Sequence, residues 1–173
     1  MDDDFVLALN ISARHFHRGL LQADLAHSLS LYDIDPSKLE LEVTETAIMD
    51  AIGLAVQTLE ELKKMGIRTA IDDFGTGHSS LSYLRQLPIE ILKIDKSFID
   101  EILISQEDRT LVRGIIEMVH ALGIEVVAEG VENHQMADLL REMNCDLVQG
   151  YHFCRPIPED EFLSLIKNKQ CYI

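Results

Sequence analysis

The strongest constraint on this chain is an alternation carried along its length: short aliphatic runs of β character are separated by amphipathic helical stretches. That rhythm is the signature of a parallel sheet covered by helices. Strands are predicted over 5–11, 39–44, 68–72, 89–94, 125–129 and 146–149. Between them Leu54, Leu59 and Leu62 fall at helical spacing, and so do Leu111, Ile115, Met118, Val119 and Leu122. Both stripes are expected to face the core, with Gly66 and Gly123 as C-terminal stops. Pro36, and Pro158 ahead of 159–166, sit where helices begin or loops turn.

Each predicted strand ends in a polar residue: Asn10, Glu42, Asp72 with Asp73, Lys93, Glu129 and Gln149. Buried singly without partners, such a set would cost much free energy. In a β/α barrel the C-terminal strand ends converge on one face, which is where active sites lie. A complete barrel of eight units takes about 250 residues, and this chain supplies about six units. The predicted architecture is therefore α/β, a TIM-type β/α barrel that is incomplete, with an open sheet as the alternative.

Composition narrows the function classes. With 173 residues, 47% apolar and 26% charged, the chain suits one globular domain with a real core. No apolar run approaches the roughly 20 residues that cross a bilayer. The acidic start, MDDDFVLALN, is unlike a secretory signal, so a cytoplasmic protein without membrane contact is expected. Cys145, Cys154 and Cys171 form no CxxC pair and are expected to be reduced and mostly buried. The seven histidines show no metal-ligand spacing. A net charge of −15 argues against a binder of DNA or RNA polymers, which needs excess Lys and Arg. If the ligand is nonetheless a phosphate ester, metal ions held by carboxylates must supply the positive charge.

The most specific segment is Asp72-Asp73-Phe74-Gly75-Thr76-Gly77-His78. Neighbouring side chains of a regular strand point to opposite faces, so both acids serve one site only if the chain bends, which Gly75 and Gly77 permit. Such a pair suits two cations roughly 3.5 to 4 Å apart. A strand-end Asp-Asp is also a common cap or turn. In 39–45, Glu40, Glu42 and Thr44 share one strand face, so Glu42 and Glu45 need partners if the strand lies inside a barrel. Lys93 is a lone cation among aliphatics, with Asp95 along the same face. It reads as a buried ion pair, as a group that orients or deprotonates a nucleophile, or as a Schiff-base amine. Glu129-Gly130 and Gln149-Gly150 repeat the strand-end arrangement, with a glycine that lets backbone approach a ligand.

Asn10-Ile11-Ser12, Glu42-Val43-Thr44-Glu45, Asp72-Asp73-Phe74-Gly75-Thr76-Gly77, Lys93-Ile94-Asp95, Glu129-Gly130-Val131-Glu132 and Gln149-Gly150-Tyr151 occur in that order over nearly the whole chain. Together they resemble the EAL family, bacterial phosphodiesterases that linearise cyclic di-GMP to 5′-pGpG. The resemblance implies two divalent cations, Mg²⁺ or Mn²⁺, one held by Asn10, Glu42 and Asp72, the second by Asp72, Asp73 and Glu129. It implies that Lys93 positions the attacking water, with Gln149 and Glu132 around it. Glu45 would anchor a regulatory loop from Phe74 to Ser80, linked to dimer contacts, and Thr76 and Asp95 would organise that loop or contact substrate. His78 stands where the family usually has Tyr.

The family's name-giving Glu-Ala-Leu motif, whose glutamate is a metal ligand, is expected before Phe5 and does not occur in this chain. The resemblance therefore implies a domain lacking its N-terminal strands and helices, with an upstream sensory or GGDEF-type domain possible in a parent chain. A second functional reading follows: an inactive module that binds cyclic di-GMP or a partner protein. A Schiff-base barrel using Lys93 is the third. Open strand edges also predict a homodimer or higher oligomer.

Overall fold

The computed structural model describes residues 5–16, 21–76 and 83–167. Gly77, His78 and the rest of the expected loop to Ser80 lie outside the described residues, as do His17 and Cys171. The elements are β1 (Leu7–Ile11), α1 (Ala13–Phe16), α2 (Leu21–Tyr32), β2 (Leu39–Thr44), α3 (Glu45–Met49), α4 (Ile52–Lys64), β3 (Arg68–Phe74), β4 (Ile91–Ile94), α5 (Lys96–Ile99), α6 (Gln106–Ala121), β5 (Glu125–Ala128), α7 (His134–Glu142), β6 (Leu147–Val148) and α8 (Glu159–Lys167). The strands form one parallel sheet in chain order, β1 to β6, each pair linked by a crossover, as the alternating sequence requires. This is the strand and helix order of a TIM-type β/α barrel with six units. Among the described residues β6 forms no ladder with β1.

Local signals account for the element boundaries. Asp35 caps the turn at Pro36–Lys38, accepting from Ser37 N at 2.9 Å, and β2 starts at once. Ser105 and Asn133 cap α6 and α7. Gly66 and Gly123 take φ of 81° and 74° just past α4 and α6, the left-handed stop expected of them. β4 begins two residues later than predicted, because the Glu90 carboxylate accepts both Thr69 N (3.0 Å) and Thr69 Oγ1 (3.1 Å). A side chain thus occupies a donor that the ladder would have used.

The helix stripes are partly misplaced by sequence. Leu59, Leu62 and Val119 are buried, but Leu54, Leu111 and Leu122 are exposed. The seams that meet the sheet are Ala55, Leu59 and Leu62 on α4 and Val112, Ile116 and Val119 on α6. Both helices carry aliphatics on more than one face, so spacing alone does not select the buried one. The thiols differ from expectation as well: Cys145 is half-buried and Cys154 exposed.

The inner sheet face carries polar side chains. Leu39, Leu41 and Val43 turn to the helices, while Glu40 and Glu42 line a cavity of about 1010 Å³ together with Lys93 and Val127. Phe162 and Leu165 of α8 line the same cavity, and the Phe5 and Phe162 rings lie 6.0 Å apart, so the first and last described parts of the chain meet. No helix among the described residues is long and apolar enough to cross a membrane.

Candidate metal centre

Asp72, Asp73 and Glu129 each present a carboxylate oxygen within 4.8 Å of the others, at the ends of β3 and β5. Adjacent acids reach one site because the chain bends at Asp73 itself, which takes a φ of 55°, while the β3–β4 register shifts between Ile71 and Phe74. Aspartate is among the few non-glycine residues that adopt this backbone readily. Gly75, at φ 99°, continues the bend rather than starting it.

Lys93 rises from β4, between the two acidic strands. Its Nζ lies 2.6 Å from Glu129 Oε1, 2.7 Å from Glu42 Oε1 and 3.3 Å from Asp72 Oδ1, with the lysine side chain 5% exposed. Three carboxylates therefore surround one ammonium. Burial by itself disfavours the charged amine, but the hydrogen bonds to Glu129 and Glu42 outweigh it, and the Lys93 pKa lies above its ordinary value. An amine held in that state is not the free base that Schiff-base chemistry needs.

The acids keep excess negative charge. Burial raises the Glu129 pKa even against its bond to Lys93, and Asp73 is raised by burial and by the charges of Asp72 and Asp95. Asp72 Oδ1 is buried and accepts no hydrogen bond, its contact with Lys93 lying outside bonding geometry. A buried carboxylate oxygen without a hydrogen bond, beside two more acids, is a donor set suited to a hard divalent cation.

The other expected residues are distributed around this cluster. Asn10 sits opposite Glu42 in the β1–β2 register and is exposed. Glu45 is buried at the start of α3, accepting from Gly75 N (3.0 Å) and Tyr83 OH (2.8 Å), so it ties both described flanks of the 77–82 segment. Thr76 Oγ1 donates to Asp73 O at 2.9 Å. Asp95 caps α5 through Ser97 N (3.0 Å). Gln149 is exposed, its backbone N–H donating to Ala128 O and its carbonyl accepting from Val131 N. Glu132 is exposed and pairs with Lys96 at 2.5 Å, which draws its pKa down; it is outside the group formed by Asp72, Asp73 and Glu129.

Three contacts were not anticipated from sequence. Tyr83 donates to Glu45, Lys96 packs on Gly130, and Phe98 packs on Gly75. Positive φ at both glycines was the signal, visible only once the backbone is known.

The EAL domain family model matches residues 2–156. The cyclic di-GMP phosphodiesterase NbdA of Pseudomonas aeruginosa is 47% identical over 152 residues, 88% of this chain and 19% of NbdA. The cyclic di-GMP complex of the MucR phosphodiesterase of P. aeruginosa superimposes with a TM-score of 0.87 at 38% identity, over 92% of this chain and 64% of that one. MucR is named a bifunctional diguanylate cyclase and cyclic di-GMP phosphodiesterase. The manganese and cyclic di-GMP complex of BlrP1 from Klebsiella pneumoniae gives a TM-score of 0.81 at 33% identity, over 87% and 39% of the two chains. The chain spans about a fifth of the length of curated relatives such as NbdA. With the motif order, the sheet order and a family match over nearly all its residues in agreement, the chain belongs to the EAL domain family.

Proposed function

We propose that the chain is a metal-dependent phosphodiesterase domain that hydrolyses cyclic di-GMP to 5′-pGpG in bacterial second-messenger signalling. The observation that carries this reading is the buried Asp72 Oδ1, which accepts no hydrogen bond, beside Asp73 and Glu129. Asp72, Asp73 and Glu129 would hold one divalent cation, Mg²⁺ or Mn²⁺, and Asn10, Glu42 and Asp72 a second. Cations bound there supply positive charge against a phosphodiester and lower the pKa of a water nucleophile.

The chain's own groups do the rest. Lys93, fixed by Glu42 and Glu129, is a charged donor that orients the nucleophile rather than a base that deprotonates it. Glu45 holds Gly75 N–H and thereby the turn after Asp73. Thr76 fastens that turn by donating to Asp73 O, and Asp95 caps α5 through Ser97 N. Gln149 lines the cavity and is available to substrate, whereas Glu132 is held in its pair with Lys96. The place of action we infer is the cytoplasm, with an upstream GGDEF-type or sensory domain in the parent chain.

Incubating the chain with cyclic di-GMP and Mn²⁺ and separating products by liquid chromatography tests this. We expect the linear dinucleotide from the wild type and none from Asp72→Ala. Intact cyclic di-GMP beside a folded, Mn²⁺-loaded chain would favour the second reading, a module that binds without hydrolysis. The exposure of Asn10 on the edge strand is the feature that supports that alternative.

A further inference from the structure

β4 runs from Lys93 directly into α5, and α5 touches both loops that carry the acidic cluster. A Cβ placed on Gly130 would lie 2.3 Å from Lys96 Cγ, and one on Gly75 would lie 2.4 Å from Phe98 Cε2. Gly130 follows Glu129 directly, and Gly75 comes two residues after Asp73. Both glycines have positive φ, 75° and 99°. Their lack of a side chain therefore admits α5: the Lys96 stem seats on one and the Phe98 ring on the other.

This contact has a geometric consequence. β4 lies between β3 and β5, so a wedge at its C-terminal end spans the two strands that present the carboxylates. The wedge is fastened at several points. Asp95 caps it, Lys96 Nζ reaches Glu132 Oε1, and Glu45 holds Gly75 N–H from the opposite side at 3.0 Å.

We propose that Lys96 and Phe98 are positioning residues for the metal-binding cluster: seated on Gly130 and Gly75, they fix the separation of the Asp73 and Glu129 carboxylates and so set the affinity for a divalent cation. This rests on the metal-dependent reading above. The packing of the stem carries the effect more than the charge does, because the Lys96–Glu132 pair is about half-exposed on both sides and exposed pairs contribute little.

The test is Mn²⁺ binding by the 173-residue chain, read from the spin-resonance signal of free Mn²⁺ and by calorimetry, with circular dichroism confirming that each variant is folded. Lys96→Ala and Phe98→Ala should each weaken Mn²⁺ binding about tenfold or more, the usual cost of removing support behind a metal ligand. Lys96→Met and Phe98→Leu, which keep the packing, should recover most of the loss. Wild-type affinity in both alanine variants would overturn the proposal, and so would a Lys96→Met loss equal to that of Lys96→Ala. If Phe98→Ala does not fold, the exposed Lys96 series decides alone. A wild-type chain that takes up no Mn²⁺ overturns the metal-dependent reading and this proposal with it, an outcome distinct from unchanged variants.

Discussion

At Lys93 one ammonium stabilises Glu42, Asp72 and Glu129, two of them by bonds shorter than 2.8 Å. Lys93→Met would leave those carboxylates uncompensated, and breaking a buried pair from one side costs about 3–5 kcal/mol. Urea denaturation in chelator-treated buffer should show that loss, and added Mn²⁺ should restore part of it. Asp73 works in the opposite sense. Burial and the Asp72 charge raise its pKa, so its contribution to stability is full below the ordinary carboxylate value and is lost as pH rises through the higher folded value. Near neutral pH the ionised Asp73 of a metal-free chain opposes folding. Asp73→Asn, which tolerates the same left-handed backbone, should therefore raise the metal-free Tm at neutral pH and have less effect near pH 4, about where free carboxylates titrate. It should also remove any rise in Tm that Mn²⁺ gives the wild type. A lowered metal-free Tm at neutral pH would contradict this assignment. Glu129 shifts in the same direction and shares the sign.

Among the elements, the turns after the strands differ in what they can absorb. A Cβ on Gly150 would meet Val131 O at 2.1 Å and Val131 N at 2.4 Å, both backbone atoms that are committed to bonds with His152 and Gln149. Gly150→Ala should cost on the order of 3 kcal/mol, the upper range for forced overpacking. Gly123→Ala faces open space and pays only for its φ of 74°, about 1 kcal/mol. Gly130→Ala should fall between: a Cβ there would meet Lys96 Cγ at 2.3 Å, which can rotate away, and Lys96 Cβ at 2.7 Å, which moves only with α5. Thermal melts of the three variants check the order, and a Gly123→Ala variant less stable than Gly150→Ala would refute it. These elements also show what sequence could and could not convey. The strands were legible because aliphatic runs bounded by polar residues have few other readings, and the strand-end acids marked the place where Asp72, Asp73 and Glu129 come together. The seams of α4 and α6 were not, since Leu54, Leu111 and Leu122 match the helical period as well as the residues that are buried. Nor was the bend at Asp73, because its left-handed backbone is imposed by the β3–β4 register shift and not by a glycine. The partners of Lys93 come from strands on either side in the fold but distant in sequence, so the lone cation kept three meanings until the sheet was known.

Among the described residues, the sheet carries exposed apolar groups on both of its outer strands: Leu7 and Leu9 on β1 are 48% and 39% exposed, and Leu147 on β6 is 54% exposed. Unpaired edges invite association, whereas the net charge of −15 opposes it. Salt screens the second effect and not the first, so light scattering should show association that strengthens from low to high salt and weakens in Leu9→Lys. A monomer at all salt concentrations would contradict this. The same acidity gives the site its character: carboxylates converge at the strand ends around one lysine, and a phosphodiester can approach them only with added positive charge. That dependence is tested most directly by anomalous scattering from crystals of the chain grown with MnCl₂. The account predicts a manganese peak bounded by Asp72, Asp73 and Glu129, with Asp72 Oδ1 as a ligand. A map without manganese at those carboxylates, with Lys93 still paired to Glu42 and Glu129, would contradict it.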